Sequence, residues 1–195
     1  CRLLSDTAMV RIQLEGEWTA DTRDGKLTYG PKACYFGPQS RAMPISVKGS
    51  FTSVGLALKP GAGFTVTGLP AADFADRVVE LDTIGLPGEA AIAALAQATT
   101  GEDMLDTLEA LVRVFLGGAK PAPPPALSAS FELQALADPS FSVADFAEEH
   151  GISLRQLERL CLRDFGMTPK QVLRRARALD MASHLRGVAD SAQED

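Results

Sequence analysis

The stretch "ISLRQLERLCLRDFGMTPK", residues 152–170, interleaves leucines and arginines at helical spacing. Ser153 predicts the N-cap of a short helix running to Phe165, because a serine hydroxyl accepts from a free amide of the first turn. On that helix Leu154, Leu157, Cys161 and Phe165 fall on one face, to be buried. Arg155, Glu158 and Arg159, and further round Gln156 and Arg163, fall outside it. Gly166 stops the helix. Thr168 and Pro169 then form an N-cap and first-position pair for a longer helix through "KQVLRRARALDMASHLR", residues 170–186.

Upstream, "SVADFAEEHG", residues 142–151, supplies Ser142 as an N-cap, Asp145 in the first turn to suit the helix dipole, and Gly151 as a left-handed stop. Before it, Phe131, Leu133 and Leu136 predict another helix, ended by the "DPS" turn at 138–140. Two short helices joined by a glycine-containing turn, with the small Ala147 where they approach, make a helix-turn-helix. The second helix of such a unit fits the major groove of B-DNA. Arginine can fork onto guanine, glutamine can pair with adenine and glutamate can accept from cytosine N4. Arg155, Gln156, Glu158 and Arg159, led in by Ser153, are thus candidate base readers. Arg163, Lys170 and Arg174 are candidate phosphate partners. The competing reading is a solvated basic face that never meets nucleic acid, since an Arg and Glu surface lattice contributes little beyond solubility.

The net charge of −6 argues against a polyanion partner only until its distribution is examined. Residues 1–127 carry 11 basic against 14 acidic groups, whereas 152–186 carry 8 basic against 3 acidic. Screening beyond about 10 Å makes the local sign the one a partner feels.

The Pro-rich run "GGAKPAPPPALS", residues 117–128, reads as a semi-rigid linker. It divides the chain into a sensor or dimerisation region over 1–118, β-rich to residue 60 and helical from 61, a linker over 119–128, a helix-turn-helix region over 129–186 and an acidic tail over 187–195. In the first region Met9, Arg11 and Gln13 alternate with Val10, Ile12 and Leu14 as on a half-buried strand. Further strands are expected at 27–29, 34–36, 45–47 and 51–58, with turns at "RDGK" and "PGAG", making an antiparallel barrel or sandwich. Ala71, Phe74 and Val78 have helical spacing. Residues 89–116 read as two helices broken near Thr100 and Gly101, the second amphipathic through Met104, Leu105, Leu108, Leu111, Val112 and Phe115 and the expected homodimer interface. Trp18, Tyr35, Phe36 and Phe51 read first as plain core of the strands, with the lining of a small-molecule effector cavity as the second reading.

With 46% apolar residues the chain can bury a core, and no hydrophobic run reaches the roughly 18 residues of a membrane span. The three cysteines, Cys1, Cys34 and Cys161, share no metal-ligand spacing and suit inert thiols in a reducing cytoplasm. The first residue, Cys1 instead of Met, suggests that earlier residues are missing. No catalytic residue, metal ligand or cofactor is assigned. His150 and His184 lie beyond the linker, the acidic run Asp73, Asp76, Glu80 and Asp82 reads as a solvated face, and neither a phosphate loop nor a nucleophile elbow is present.

Residues 129–186 resemble the first helix-turn-helix half of the AraC/XylS family of bacterial transcription regulators. The features in register are Ala147, the "GIS" turn, Leu157 with Arg159, Phe165 with Gly166, Thr168 with Pro169, and the Arg-rich entry to the next helix. The resemblance implies base contacts from Arg155, Gln156, Glu158 and Arg159 and backbone contacts from Ser142, Arg163 and Thr168 or Lys170. Residues 34–84, with the "GP" loop, the "P-G" turn and "DRVVEL", are similar to the sensor domain of a subset of these regulators, which implies a cupin-like barrel followed by helices, an α+β fold overall. It also implies partners: double-stranded DNA, RNA polymerase and, at the amino half, an effector. Family members carry a second helix-turn-helix where this chain has "GVADSAQED", so a fragment is expected.

Overall fold

The computed structural model describes residues 2–3, 7–116 and 125–185. It is α+β. Among the described residues six antiparallel strands form one sheet: β1 (Arg2–Leu3), β2 (Met9–Thr22), β3 (Gly25–Tyr29), β4 (Lys32–Phe36), β5 (Met43–Ala57) and β6 (Val78–Glu80). The spine is β2. Along one edge it pairs first with β4 over residues 9–13 and then with β3 over 18–22, while β5 runs along its other edge. The β2–β5 register shifts between Gln13 and Glu17. Gly16 sits there at φ 94°, and a Cβ on it would come within 2.9 Å of the Ser50 carbonyl oxygen. Such a bulge raises local twist, so the sheet curls into half a barrel, with β1 and β6 as its edges.

Two expectations for this region are corrected. The stretches 45–47 and 51–58 are parts of the single strand β5, which continues through Gly49 at φ 83°. Val78, given helical spacing above, instead begins β6 and pairs with Phe36, because β4 has a free edge and Asp76 at φ 60° interrupts any helix. Only Ala71–Phe74 turns helically, as a 3-10 turn.

Alternation along β4 separates two cores. Ala33 and Tyr35 join Ile12, Leu81 and residues of α2 (Gly88–Leu95) and α3 (Gly101–Phe115). Cys34 and Phe36 join Trp18, Tyr29, Met43 and Ile45 in the hollow of the sheet. Full burial of Phe36, Leu81 and Leu95 contributes about 1.5–3 kcal/mol for each side chain. The expected break at Thr100 is present: Thr100 and Asp103 cap α3 reciprocally. The stripe of α3 is narrower than expected, Leu105 being 61% exposed, one step round from Met104, Leu108 and Leu111.

Of the expected linker, residues 117–124 lie outside the described residues, as does the acidic tail. Ala126–Ser128 already belong to α4 (Ala126–Ala137), before α5 (Val143–Glu149), α6 (Leu154–Asp164) and α7 (Pro169–Leu185). Phe131 of α4 is the centre of their core, with edge-on rings of Phe146, Phe141 and Phe165 at 5.1, 5.5 and 5.7 Å. The buried face of α4 is Ser128, Phe131 and Ala135, not Leu133 and Leu136, which are exposed.

Candidate nucleic-acid interface

Local chemistry sets up the α5–α6 pair. The Ser142 hydroxyl accepts from the Asp145 amide at 3.2 Å. At the other end of α5 the Gly151 amide donates to the Glu148 carbonyl and the Ile152 amide to that of Ala147, at 3.0 and 2.9 Å, a Schellman pairing with Gly151 at φ 65°. Gly151 therefore lies at the bend. Ser153 caps α6 by accepting from the Gln156 amide at 3.2 Å, while Gln156 Oε1 accepts from the Ser153 amide and hydroxyl, both at 2.8 Å. Thr168 and Gln171 repeat the reciprocal arrangement at the head of α7.

The inner face of α6 is Leu157, Cys161 and Asp164, with Phe165 beyond its end, and all four are buried. Leu154, expected inside, is 54% exposed, on a groove it shares with Phe141, Val143 and Leu173. Arg155, Gln156, Glu158 and Arg159 are all exposed, along with Ser153. Gln156 carries one qualification of chemistry: its amide oxygen belongs to the cap, so a two-bond pairing with adenine requires opening that cap. Ser142, Lys170 and Arg174 are exposed and Thr168 half-buried. Arg175 is buried, so the basic surface is smaller than the sequence count implies.

Arg163 is placed differently from the expectation. It is half-buried, its Nε and Nη2 donate to the Asp164 carboxylate at 2.7 and 2.8 Å, and its guanidinium lies 5.0 Å over the ring of Phe64. The bond to Asp164 pushes its pKa up. The Asp164 side chain is wholly buried and also accepts from the Ser128 hydroxyl. Phe64 belongs to α1 (Ala62–Thr67), in the amino half. The end of α6 is thus seated on that half: the Gly61 amide donates to the Asp164 carbonyl at 3.3 Å, and Gly166 packs against Pro38 and Ala71. In this arrangement Arg163 is engaged within the protein and does not stand open to a phosphate.

Phe64 and Asp164 were absent from the sequence reading. Asp164 carried a signal, since it falls seven residues after Leu157 and three after Cys161, a charged group on an apolar stripe. Phe64 carried none.

Other candidates resolve structurally. His150 stacks on Phe146 at 4.1 Å, with its ring nitrogens bonded to the Phe146 carbonyl and the Ser130 hydroxyl. Asp76 accepts from the Ser40 amide and hydroxyl, Asp82 from the Gly88 amide, and Glu80 pairs with Lys32. Burial pushes both the Cys34 and Cys161 thiols up to about 12. Cys1 lies outside the described residues. The four aromatics do not gather round one cavity: Trp18 and Phe36 are core, as first read, Phe51 is exposed beside Trp18, and Tyr35 belongs to the other core, where it borders a cleft. Among the described residues no helix is long and apolar enough to cross a membrane.

No family model and no curated protein matches the chain. Among solved structures it is similar to an apo ToxT variant from Vibrio cholerae, at 12% identity and a TM-score of 0.46, covering 94% of this chain and 76% of that one. It is also similar to the AraC-like transcriptional activator CuxR, at 15% identity and a TM-score of 0.33, covering 92% of this chain and 68% of that one.

Proposed function

We propose that the chain is a sequence-specific DNA-binding transcription regulator that inserts α6 into a major groove. The observation that carries this reading is the division of α6 into two faces. Leu157 and Cys161 are fully buried, while Arg155, Gln156, Glu158 and Arg159 stand exposed one turn beyond a glycine bend. Arg155 and Arg159 read guanine, Glu158 selects cytosine, and Ser142, Thr168, Lys170 and Arg174 hold the phosphate backbone. The amino half senses an effector or partner and adjusts the placement of α6, and so the recruitment of RNA polymerase in the cytoplasm. Exposed Leu105 and Val114 on α3 form the homodimer contact.

The test is selection of a binding site from random duplexes by the full chain, followed by fluorescence anisotropy. Arg159→Ala is expected to lose about 1–3 kcal/mol of discrimination at its base, and Arg155→Ala likewise at the neighbouring one. Parental affinity and selectivity in both variants rejects the reading. Sedimentation of Val114→Glu tests the dimer contact.

A further inference from the structure

The core of the helical half reaches the surface beside the first turn of α6. Phe141 of the turn before α5, Val143 at the head of α5, Leu154 at the head of α6 and Leu173 of α7 line one open groove. Phe141 and Val143 are half-buried against the Phe131 core, Leu173 is buried in it, and Leu154 stands 54% exposed. We propose that this groove takes the 5-methyl group of a thymine, and that Leu154 is thereby a base-reading residue of α6 that selects thymine by apolar contact alone. The proposal rests on the reading of α6 as the helix in the major groove, and adds to it one residue and one base.

The rim of the groove points to the occupant. A single exposed leucine is ordinary, but four apolar side chains from four successive segments make a patch that a partner can cover. Ser142, Lys170 and Arg177 line the same groove, and all three are exposed. The Ser142 hydroxyl accepts from the Asp145 amide and so keeps its own proton to donate, while Lys170 and Arg177 lie two turns apart on α7. An apolar strip bordered by a hydroxyl and two cations suits a surface on which an apolar group lies beside a run of negative charge. Duplex DNA has that pattern at each thymine, whose methyl projects into the major groove on the side of its own strand's phosphates. An acidic apolar peptide shares the pattern, but gives no part to Arg155, which follows Leu154 in the same first turn and is also exposed.

The kind of discrimination follows from the side chain. Leucine has no donor or acceptor, so it is blind to the hydrogen-bonding edge of a base and sensitive only to the methyl. Uracil keeps the O4 acceptor of thymine and lacks the methyl; cytosine lacks both. The Gln156 amide oxygen is held in the cap of α6, so Leu154 supplies at this end of the helix the A·T preference that Gln156 yields only when its cap opens.

The experiment uses the full chain and the duplex it selects from random sequence, with each thymine replaced in turn by deoxyuridine. One replacement should weaken binding to the parent by about fourfold, the effect of burying one methyl group, and leave Leu154→Ala unchanged. At that position 5-methylcytosine should bind the parent more tightly than cytosine by a similar factor, and Leu154→Ala equally. Arg159→Ala, which loses its own base, and Leu154→Met, which keeps an apolar side chain, should both retain the methyl effect. Leu154 is exposed and its side chain takes no part in the cap, so Leu154→Ala should fold; Val143→Ala reads the same groove if circular dichroism shows otherwise. A selected duplex with no deoxyuridine-sensitive thymine, or the same loss in Leu154→Ala as in the parent, overturns the proposal and leaves the groove to a protein partner. A chain that selects no duplex at all overturns the DNA-binding reading as well, so the two failures are told apart.

Discussion

Arg163 and Phe64 meet across the two halves of the chain, guanidinium over ring at 5.0 Å, and the same guanidinium is held from below by the buried carboxylate of Asp164. The last turn of the helix that presents Arg155 and Arg159 is thereby attached to the sheet-bearing half. An arginine used in this way is partly withdrawn from solution, and its release adds to the exposed cations.

Salt dependence separates the two states of Arg163. Phe64→Ala removes one of its two partners, and the slope of log affinity for DNA against log salt should steepen by up to about one, as one more phosphate contact is gained. Lys170→Ala should make it shallower by about one. Titrations across a salt series measure both, and an unchanged slope in Phe64→Ala would show that Arg163 stays engaged.

Asp164→Asn keeps the shape of the side chain and removes the charge that binds Arg163 and the Ser128 hydroxyl. With the carboxylate fully buried, the loss of charge-assisted hydrogen bonds should lower stability by about 1.5–3 kcal/mol in urea unfolding. A value near zero would mean that Arg163, whose own side chain is 36% exposed, is served equally well by water.

Two glycines with nearly the same backbone should answer differently to alanine. Gly151 at φ 65° has open space where a Cβ would stand, so Gly151→Ala should cost only the left-handed strain, about 1–2 kcal/mol. Gly166 at φ 70° has Pro38 Cγ 2.5 Å and the Ala71 carbonyl 2.9 Å from that position, so Gly166→Ala should cost more, and also loosen α6 from the amino half. Thermal unfolding with limited proteolysis distinguishes them; equal losses contradict the packing.

Cys34 and Cys161 have thiols raised from the ordinary 9.0 to about 12 by burial, so the folded state favours the protonated form. Their contribution to stability is complete below pH 9 and falls away between pH 9 and 12, as the unfolded chain gains thiolate that the folded chain does not. At pH 8 both should resist Ellman's reagent in native protein and react once denatured. Fast labelling of either in the native state would contradict their burial.

Phe131→Ala should cost about 3–5 kcal/mol, because the ring is fully buried and three aromatic rings lose their common partner. Denaturant unfolding followed by circular dichroism measures it.

By itself the sequence determined the ends of α5 and α6 and the start of α7. Ser142, Ser153 and Thr168 cap through partners three residues away, and Gly151 and Gly166 reverse the chain through their own backbone freedom, interactions complete within one turn and needing no distant neighbour. Tertiary structure decided the rest: Leu154, Leu133 and Leu136 stay exposed, Val78 joins a strand because β4 offers an open edge, and Arg163 is half-covered because Phe64 reaches it from the other half. Periodicity specifies which side chains share a face of a helix, but which face is covered depends on segments far away in the chain, and their position is settled only when the whole apolar surface is packed at once.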